Sequence, residues 1–217
     1  GVSMTGGDRE TLTHSNSEIT NCRIFKTGQI RRTGWGCVES SGCGIRVANN
    51  ELFSVPSVAF QPHQSNENII EYNEVYDGLE DGLGDMGVWY YGVDPTAFGN
   101  EIRYNYFHDT DYGQGMIYLD DGICGYSVYG NLFRNVNRGI FMHGAQYSKI
   151  HDNVIYNSNR SGIYIQYLTH DVRWDPKTLT PIAGSSEKSQ HYLNCVLKYV
   201  PFFKNEVWTK KYPQLQE

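Results

Sequence analysis

Two adjacent aspartates, Asp120 and Asp121, follow an apolar run and precede a glycine. Adjacent acids at a strand end commonly form turns and need no chemical role. The repeat described below, however, places them beside His143 of the following coil. Glycosidic bonds are hydrolysed by two carboxyl groups, one protonated and one ionised. These residues are therefore a candidate catalytic centre.

A second carboxyl group is available from Asp85 or Asp94, which bracket the preceding strand. Ideal strand spacing predicts roughly 8 Å between Asp94 and Asp121, a separation suited to an inverting hydrolase. Asp85 falls roughly 20 Å from Asp120 on an unbroken strand, unless the chain bends at Gly87. Histidine side chains in general titrate near neutrality, so His143 could relay protons or contact substrate, although a surface histidine bonded to a neighbouring coil explains it equally well.

A short phrase that occurs six times determines where these residues lie. It contains a β-branched residue, an asparagine three positions later and an apolar residue two positions after that. The copies are Ile19-Cys22-Ile24, Val47-Asn50-Leu52, Ile70-Asn73-Val75, Ile102-Asn105-Phe107, Val128-Asn131-Phe133 and Ile150-Asn153-Ile155. The apolar residues should point inward, and the asparagines should stack as a ladder in turns where each adopts a positive φ, with Cys22 replacing the first. The handedness rule for parallel strands then predicts an all-β, right-handed parallel β-helix (solenoid) of about six coils.

A second set of strands lies between these phrases, and alternation assigns their faces. The inward residues are predicted to be Val58, Val88, Ile117, Ile140 and Ile163, with Phe60, Tyr90, Leu119, Met142 and Ile165. One outward column reads Ala59, Trp89, Tyr118, Phe141 and Tyr164, and the next reads Gln61, Tyr91, Asp120, His143 and Gln166. Stacked aromatic rings offer flat faces to sugar rings. This predicts a carbohydrate-binding surface made of Trp89, Tyr91, Tyr118, Phe141, Tyr164 and Gln166, although aromatics packed under loops are an alternative.

Size and charge narrow the class of protein. The 217 residues contain no linker-like segment, so we expect one β-helix domain over residues 1–217, and the lack of an N-terminal cap suggests part of a longer chain. A net charge of -6 without basic clusters argues against nucleic acid or anionic membranes as partners. No apolar run is long enough to span a bilayer. Helix should be scarce.

Cysteine and acidic loop residues suggest two further features. Of the five cysteines, Cys37 and Cys43 are spaced for a local disulfide, but a β-helix also buries single cysteines as small apolar residues. No cofactor is expected. A calcium site could be built from Asp77, Glu80, Asp81 or Asp85, although the twelve-residue calcium-loop pattern is absent.

Several segments together resemble a known group of proteins. They are GGDR at 6–9, DMGVWY at 85–90, GNEIRYNYFHD at 99–109, IYLDDG at 117–122, VYGN at 128–131 and WTKKYP at 208–213. The sequence is similar to the right-handed parallel β-helix proteins of glycoside hydrolase family 141, whose activities include α-L-fucosidase and xylanase. The resemblance implies a secreted or exported, carbohydrate-active enzyme that uses aspartates from neighbouring coils. Asp85 matches the group's Asp-Ser-Gly-Ala-type phrase, and Asp120 and Asp121 match its Leu-Asp-Asp phrase.

Two departures from that group lie at the proposed centre. Val93 stands where arginine commonly precedes Asp94, and Met86 replaces a small residue after Asp85. They indicate an altered substrate or a lost activity. Three functions therefore remain open: a hydrolase with aspartates converging on a groove, a catalytically silent glycan-binding or structural β-helix, and a polysaccharide lyase. The lyase needs a basic residue near the site, and Arg138 is the nearby candidate.

Overall fold

The computed structural model describes residues 1–30, 32, 36–79, 84–167, 193–195 and 197–216. Over this part the chain is an all-β parallel solenoid of about five turns with short C-terminal helices. The strands are β1 (Val2–Gly6), β2 (Ser17–Thr20), β3 (Arg23–Phe25), β4 (Val38–Cys43), β5 (Ile45–Ala48), β6 (Glu51–Val55), β7 (Phe60–Asn66), β8 (Ile69–Glu71), β9 (Glu74–Gly78), β10 (Gly87–Gly92), β11 (Glu101–Arg103), β12 (Tyr106–Thr110), β13 (Gly115–Asp120), β14 (Ser127–Tyr129), β15 (Leu132–His143), β16 (Lys149–His151) and β17 (Val154–Gln166). The helices are α1 (Val200–Phe203), α2 (Glu206–Lys211) and a 3-10 turn (Pro213–Gln216).

The strands stack coil upon coil in parallel. One sheet has the order β16-β14-β11-β8-β5-β2, so each of its strands pairs with the equivalent strand of the next coil. The other sheet has the order β1-β4-β7-β10-β13-β15-β12-β9-β6-β3, and β17 pairs with β15. The long strand β15 pairs with both β12 and β13 and so joins two faces of the solenoid. The predicted parallel β-helix is confirmed, and its right-handed sense stays a prediction.

The repeated phrase sets the register of the coils. Its first residues pair across the six-stranded sheet, as in Val47 with Ile70 and Ile102 with Val128. Its last residues pair in the other sheet, as in Leu52 with Val75. Most of these side chains are buried in one continuous core. Both apolar columns of the phrase are therefore confirmed.

The ladder asparagines bond along the solenoid axis. The members are Asn50, Asn73, Asn105, Asn131 and Asn153. Each Nδ2 from Asn50 to Asn131 donates to the Oδ1 of the next asparagine at 2.9 to 3.0 Å. The exposed Cys22 precedes the ladder, and only its backbone N–H reaches Asn50. The positive φ, however, belongs to the residue before each asparagine, as at Asn49 and Tyr72. The expectation that the ladder residue itself adopts it was wrong, because the amide must point into the coil to bond its neighbours.

We expect Asn105→Ala to lower the free energy of unfolding by about 3 kcal/mol, because it leaves buried polar groups without partners. The Asn105 Oδ1 accepts from both the backbone N–H and the Nδ2 of Asn73, each at 3.0 Å. Its own Nδ2 donates to Ile70 O at 2.9 Å. Urea unfolding measures the loss, and Gln146→Ala, which truncates an exposed amide, is the control. Equal stability of the two variants would contradict a structural role for the ladder.

The strand β10 lies one residue out of the predicted register. Trp89 pairs with Ile117 and Phe60 and is fully buried in the core, so its predicted outward, substrate-binding position was wrong. Tyr91 pairs with Leu119 and packs against the core, so it does not belong to the outward polar column either. The residue that takes the outward position beside Tyr118 is Tyr90, which the sequence pattern had placed inside. Trp89, Tyr90 and Tyr91 are all aromatic, so the alternation of polar and apolar residues does not indicate which of them faces the core.

A carboxylate between two arginines links three coils outside the ladder. Glu71 accepts hydrogen bonds from Arg46 at 2.7 Å and from Arg103 at 2.8 Å. Burial would raise the pKa of Glu71, but these two guanidinium groups outweigh it and the pKa is lowered. A carboxyl group whose pKa is lowered by folding stabilises the fold above its unfolded pKa, and that contribution is lost as the pH falls through the folded value.

We therefore expect Glu71→Gln to lower stability near neutral pH and to flatten the acid limb of the stability profile. Urea unfolding between about pH 6 and about pH 3 measures this. The exposed Glu10→Gln is the control. An unchanged acid limb in Glu71→Gln would contradict the assignment.

Cys37 and Cys43 are free thiols and both are buried, so the disulfide considered from their spacing does not form. Among the described residues the helices lie in the C-terminal segment, where Trp208 and Tyr212 pack with Phe98 in a second apolar cluster. No helix in the described part of the chain has the length and apolar character that crossing a bilayer requires.

Candidate functional site

Two neighbouring strands end at the same edge and bring Asp120, Asp121 and His143 together. Asp120 ends β13 and His143 ends β15, and the residues before them, Leu119 and Met142, are paired. The His143 Nδ1 lies 2.8 Å from Asp120 Oδ1 and 3.5 Å from Asp121 Oδ1. Asp121 adopts a φ of 42°, which ends the strand and turns its side chain back toward the histidine. The structure thus assembles the three residues predicted from the stacking of coils.

Asp120 is held in place by several donors. Its carboxylate accepts from the Asp121 backbone N–H at 2.8 Å and from the Tyr90 hydroxyl at 3.1 Å, in addition to the contact with His143. The residue is 4% exposed. Burial and the Asp120 charge raise the pKa of Tyr90 and of Tyr118, so both phenols remain protonated and available as donors. The arrangement fixes a carboxylate anion beside a histidine.

Asp85 reaches the same site through a tyrosine. The Tyr118 hydroxyl donates to Asp85 Oδ1 at 3.3 Å and also interacts with Asp120. Asp120 lies two residues after Tyr118 on β13 and accepts from Tyr90, whose ring centroid is 5.3 Å from that of Tyr118. The estimate of about 20 Å between Asp85 and Asp120 assumed an unbroken strand, whereas β10 begins only at Gly87 and Asp85 lies on the bend before it. Gly92, rather than Tyr91, pairs with Asp120.

Asp94 belongs to a different environment. It is fully buried, its Oδ2 lies 3.3 Å from Arg9 Nη2, and its Oδ1 accepts from the Thr96 backbone N–H and hydroxyl at 2.9 and 2.6 Å. Burial raises the pKa of Asp94, whereas Arg9 and Thr96 act in the opposite direction. Its predicted place in an open groove was wrong, because Val93 has a φ of 60° and turns the chain away after β10.

The outward aromatic column is Tyr90, Tyr118, Phe141 and Tyr164. Successive ring centroids are 5.3, 4.6 and 5.1 Å apart, and the last two pairs are stacked. Coil spacing of about 4.8 Å matches aromatic stacking, so the rings cover one another's faces. Tyr118 and Phe141 are only 3% and 4% exposed, whereas Tyr164 is 40% exposed. The expectation that the column offers flat faces to sugar rings was wrong for Tyr118 and Phe141.

An open cleft of about 550 Å³ lies against this column and the acidic site. His143 and Gln166, paired neighbours on β15 and β17, line one part of it. Arg138, Arg160 and Gln114 line another part, and neither Arg160 nor Gln114 was anticipated as a site residue. Gln114 immediately precedes β13, and Arg160 lies within β17 where its pairing with β15 is irregular, so the repeat did not indicate their positions. The cleft lining therefore combines aromatic residues, a histidine that contacts Asp120 and two guanidinium groups.

Two clusters of side chains in the described residues have metal-ligand character. The first is Asp120, Asp121 and His143; the second is His14, Cys43 and Glu67, and in each the ligand atoms lie within 4.8 Å of one another. In the second, Glu67 also accepts from the Tyr212 hydroxyl at 2.5 Å and pairs with Lys211. Burial, followed by the Glu67 charge, raises the pKa of Cys43 to about 11.

The calcium site considered from the sequence involves loop residues that are described only in part. Glu80 and Asp81 lie outside the described residues. Asp77 accepts from the Ser54 hydroxyl at 2.6 Å, and Asp85 from Tyr118. Among the described residues neither aspartate joins a third ligand group.

Comparison with known proteins identifies one family. Residues 15–173 match the family described as "Periplasmic copper-binding protein (NosD)". The match agrees with the β-helix part of the resemblance and gives no support to glycoside hydrolase family 141 in particular. The periplasmic location in the description agrees, at a coarse level, with the expected export. No curated protein and no solved structure gives a significant match.

Proposed function

The chain belongs to the NosD family of β-helix proteins, and from its cleft we propose that it is an exported glycoside hydrolase that acts on a polysaccharide or oligosaccharide. The observation that carries the proposal is that two carboxyl groups from adjacent coils contact residues that line an open cleft: Asp85 accepts from the Tyr118 hydroxyl at 3.3 Å, and Asp120 Oδ1 lies 2.8 Å from His143 Nδ1. Hydrolysis of a glycosidic bond requires two carboxyl groups that flank it.

The environments of the two carboxyl groups suggest different roles. Asp120 accepts hydrogen bonds from the Tyr90 hydroxyl and the Asp121 backbone N–H and contacts His143 Nδ1, so its carboxyl group is held in one orientation. It would act as the base or nucleophile, with His143 holding its orientation. Asp85 is exposed, accepts from the cleft residue Tyr118 and would protonate the leaving oxygen. Asp121 is 32% exposed in its side chain and lies near His143, where it would contact the substrate.

Sugar release from a panel of plant and algal glycans, aryl fucosides and aryl xylosides tests this function. We expect the wild-type chain to release reducing ends and Asp85→Asn to lose most of that activity. Glycan binding without release would instead identify the silent binder. Products that carry a double bond and absorb ultraviolet light would identify a lyase.

Copper binding is a second candidate function, and the cluster of His14, Cys43 and Glu67 is the observation that favours it. Thiolate and imidazole ligands suit copper, so these residues fit the ion named in the family description. A metal would have to displace the Cys43 proton and compete with Lys211 for Glu67. Copper titration followed by stoichiometry and thermal shift tests it. Loss of binding in Cys43→Ala but not in Cys37→Ala, another buried free thiol, would support the candidate. Equal binding by both variants would refute it.

A further inference from the structure

Arg138 is a buried cation that forms no ion pair with any carboxylate in the described part of the chain. It is 6% exposed, and its Nε donates to Ser161 Oγ at 3.0 Å while Nη1 donates to Gln114 O at 2.9 Å. The charge lies over the rings of Phe141 and Tyr164, 4.9 and 4.5 Å from their centroids. No carboxylate of the described residues forms an ion pair with it; the charges that act on it come from Arg160 and from tyrosines. A buried charge usually requires a partner of opposite sign.

Arg160 adds a second positive charge at the same cleft. It is exposed and lines the cleft together with Arg138, Ser161 and Tyr164. Burial, and then the charge of Arg160, lowers the pKa of Arg138, because like charges at one cleft repel each other. The chain as a whole carries a charge of -6, so this pair is a local exception. An anion bound between the two guanidinium groups would reduce their repulsion and would give Arg138 a partner of opposite charge.

The geometry suits an oxyanion attached to a sugar. Within the described residues, Nε and Nη1 of Arg138 donate hydrogen bonds to protein oxygens. Its Nη2 is therefore the group that would donate to a ligand in the cleft. Guanidinium groups bind carboxylate and sulfate oxygens in pairs of parallel hydrogen bonds. The Tyr164 ring stacks on Phe141 and is 40% exposed, so it provides an aromatic edge next to that position. His143, which contacts Asp120, lines the same cleft.

We propose that Arg138 and Arg160 form a subsite for an acidic sugar residue, so that the substrate is an anionic glycan carrying carboxylate or sulfate groups. This inference rests on the proposed action on glycans and adds the chemical class of the substrate. The acidic group would bind at the arginine end of the cleft, and an adjoining sugar would extend toward His143 and Asp120.

Binding measurements on Asp120→Asn, which should not turn over substrate, test the subsite. The ligands are polyuronate oligosaccharides, sulfated galactan oligosaccharides and neutral oligosaccharides of equal length. We expect one acidic series to bind at least tenfold more tightly than the neutral series, with a preference that decreases as salt is added. Adding Arg160→Gln should weaken acidic binding about fivefold and leave neutral binding unchanged. The two acidic series distinguish a carboxylate from a sulfate.

Arg134→Gln, which removes an exposed arginine that pairs with Asp109, is the matched control and should change neither affinity. Equal affinity for acidic and neutral oligosaccharides, unaltered by Arg160→Gln, would overturn the proposed subsite. It would not contradict the proposed action on glycans. Absence of binding to every glycan would overturn the subsite and the proposed function together.

Discussion

Asp120→Asn is expected to reduce glycan cleavage by at least about 100-fold without unfolding the chain, since positioned acid and base groups typically contribute this much or more. Asparagine keeps the shape of the side chain, and its single amide oxygen can still accept from the Asp121 backbone N–H, while its amide nitrogen would face the Tyr90 hydroxyl oxygen. It cannot carry the negative charge that activates water or attacks the sugar. The loss should therefore appear in kcat, with substrate affinity largely retained.

The measurement is the initial rate of product release, together with urea unfolding to verify the fold. The matched control is Asp152→Asn. Asp152 also lies 2.8 Å from a histidine, His151 Nδ1, but it is exposed and outside the cleft. Its φ of 54° is one that asparagine tolerates well. Full activity in a folded Asp120→Asn variant would exclude Asp120 as the base or nucleophile.

Arg9→Met is expected to lower the free energy of unfolding by about 3 to 5 kcal/mol, because it removes one partner of a buried ion pair. The substitution leaves Asp94 fully buried without its cation, although Thr96 still donates to the carboxylate. Arg9 also donates to Asn66 Oδ1 at 2.6 Å and lies against the rings of Phe202 and Trp208. The same change should therefore loosen the C-terminal helices.

Chemical denaturation of Arg9→Met, Asp94→Asn and the double variant measures this coupling. We expect the double variant to be more stable than the sum of the single losses implies, since it removes both charges together. The control is Arg23→Met, whose pair with Glu51 is exposed and should matter little. A loss in Arg9→Met no larger than in Arg23→Met would show that the buried pair does not anchor the C-terminal segment.

The fold was predictable because its determinants repeat. Each coil needs inward apolar residues and an asparagine whose amide bonds the next coil. The phrase around Asn73 or Asn105 therefore indicates the register of its coil against its neighbours. The strand β10 lacked such a marker. Trp89, Tyr90 and Tyr91 are all large and aromatic, and the choice between the two faces depends on the packing of Trp89 against Phe60 and Ile117.

The site was predictable only where strands carry it. Asp120 and His143 occupy paired strand ends, so coil stacking was enough to bring them together. Asp85 and Asp94 lie on bends, and a bend moves a side chain by many ångströms with no signal in the strand pattern. Arg160 could not be recognised because its role depends on the uncompensated charge of Arg138, which is apparent only when their surroundings are known.

The most direct test of the proposed chemistry is digestion of a cleaved glycan in water enriched in a heavy oxygen isotope, with mass spectrometry of the products. Hydrolysis with Asp85 and Asp120 as the carboxyl pair predicts one heavy oxygen at each new reducing end, and no such product from Asp120→Asn. Unlabelled products that carry a double bond would contradict hydrolysis and identify the cleft as that of a lyase.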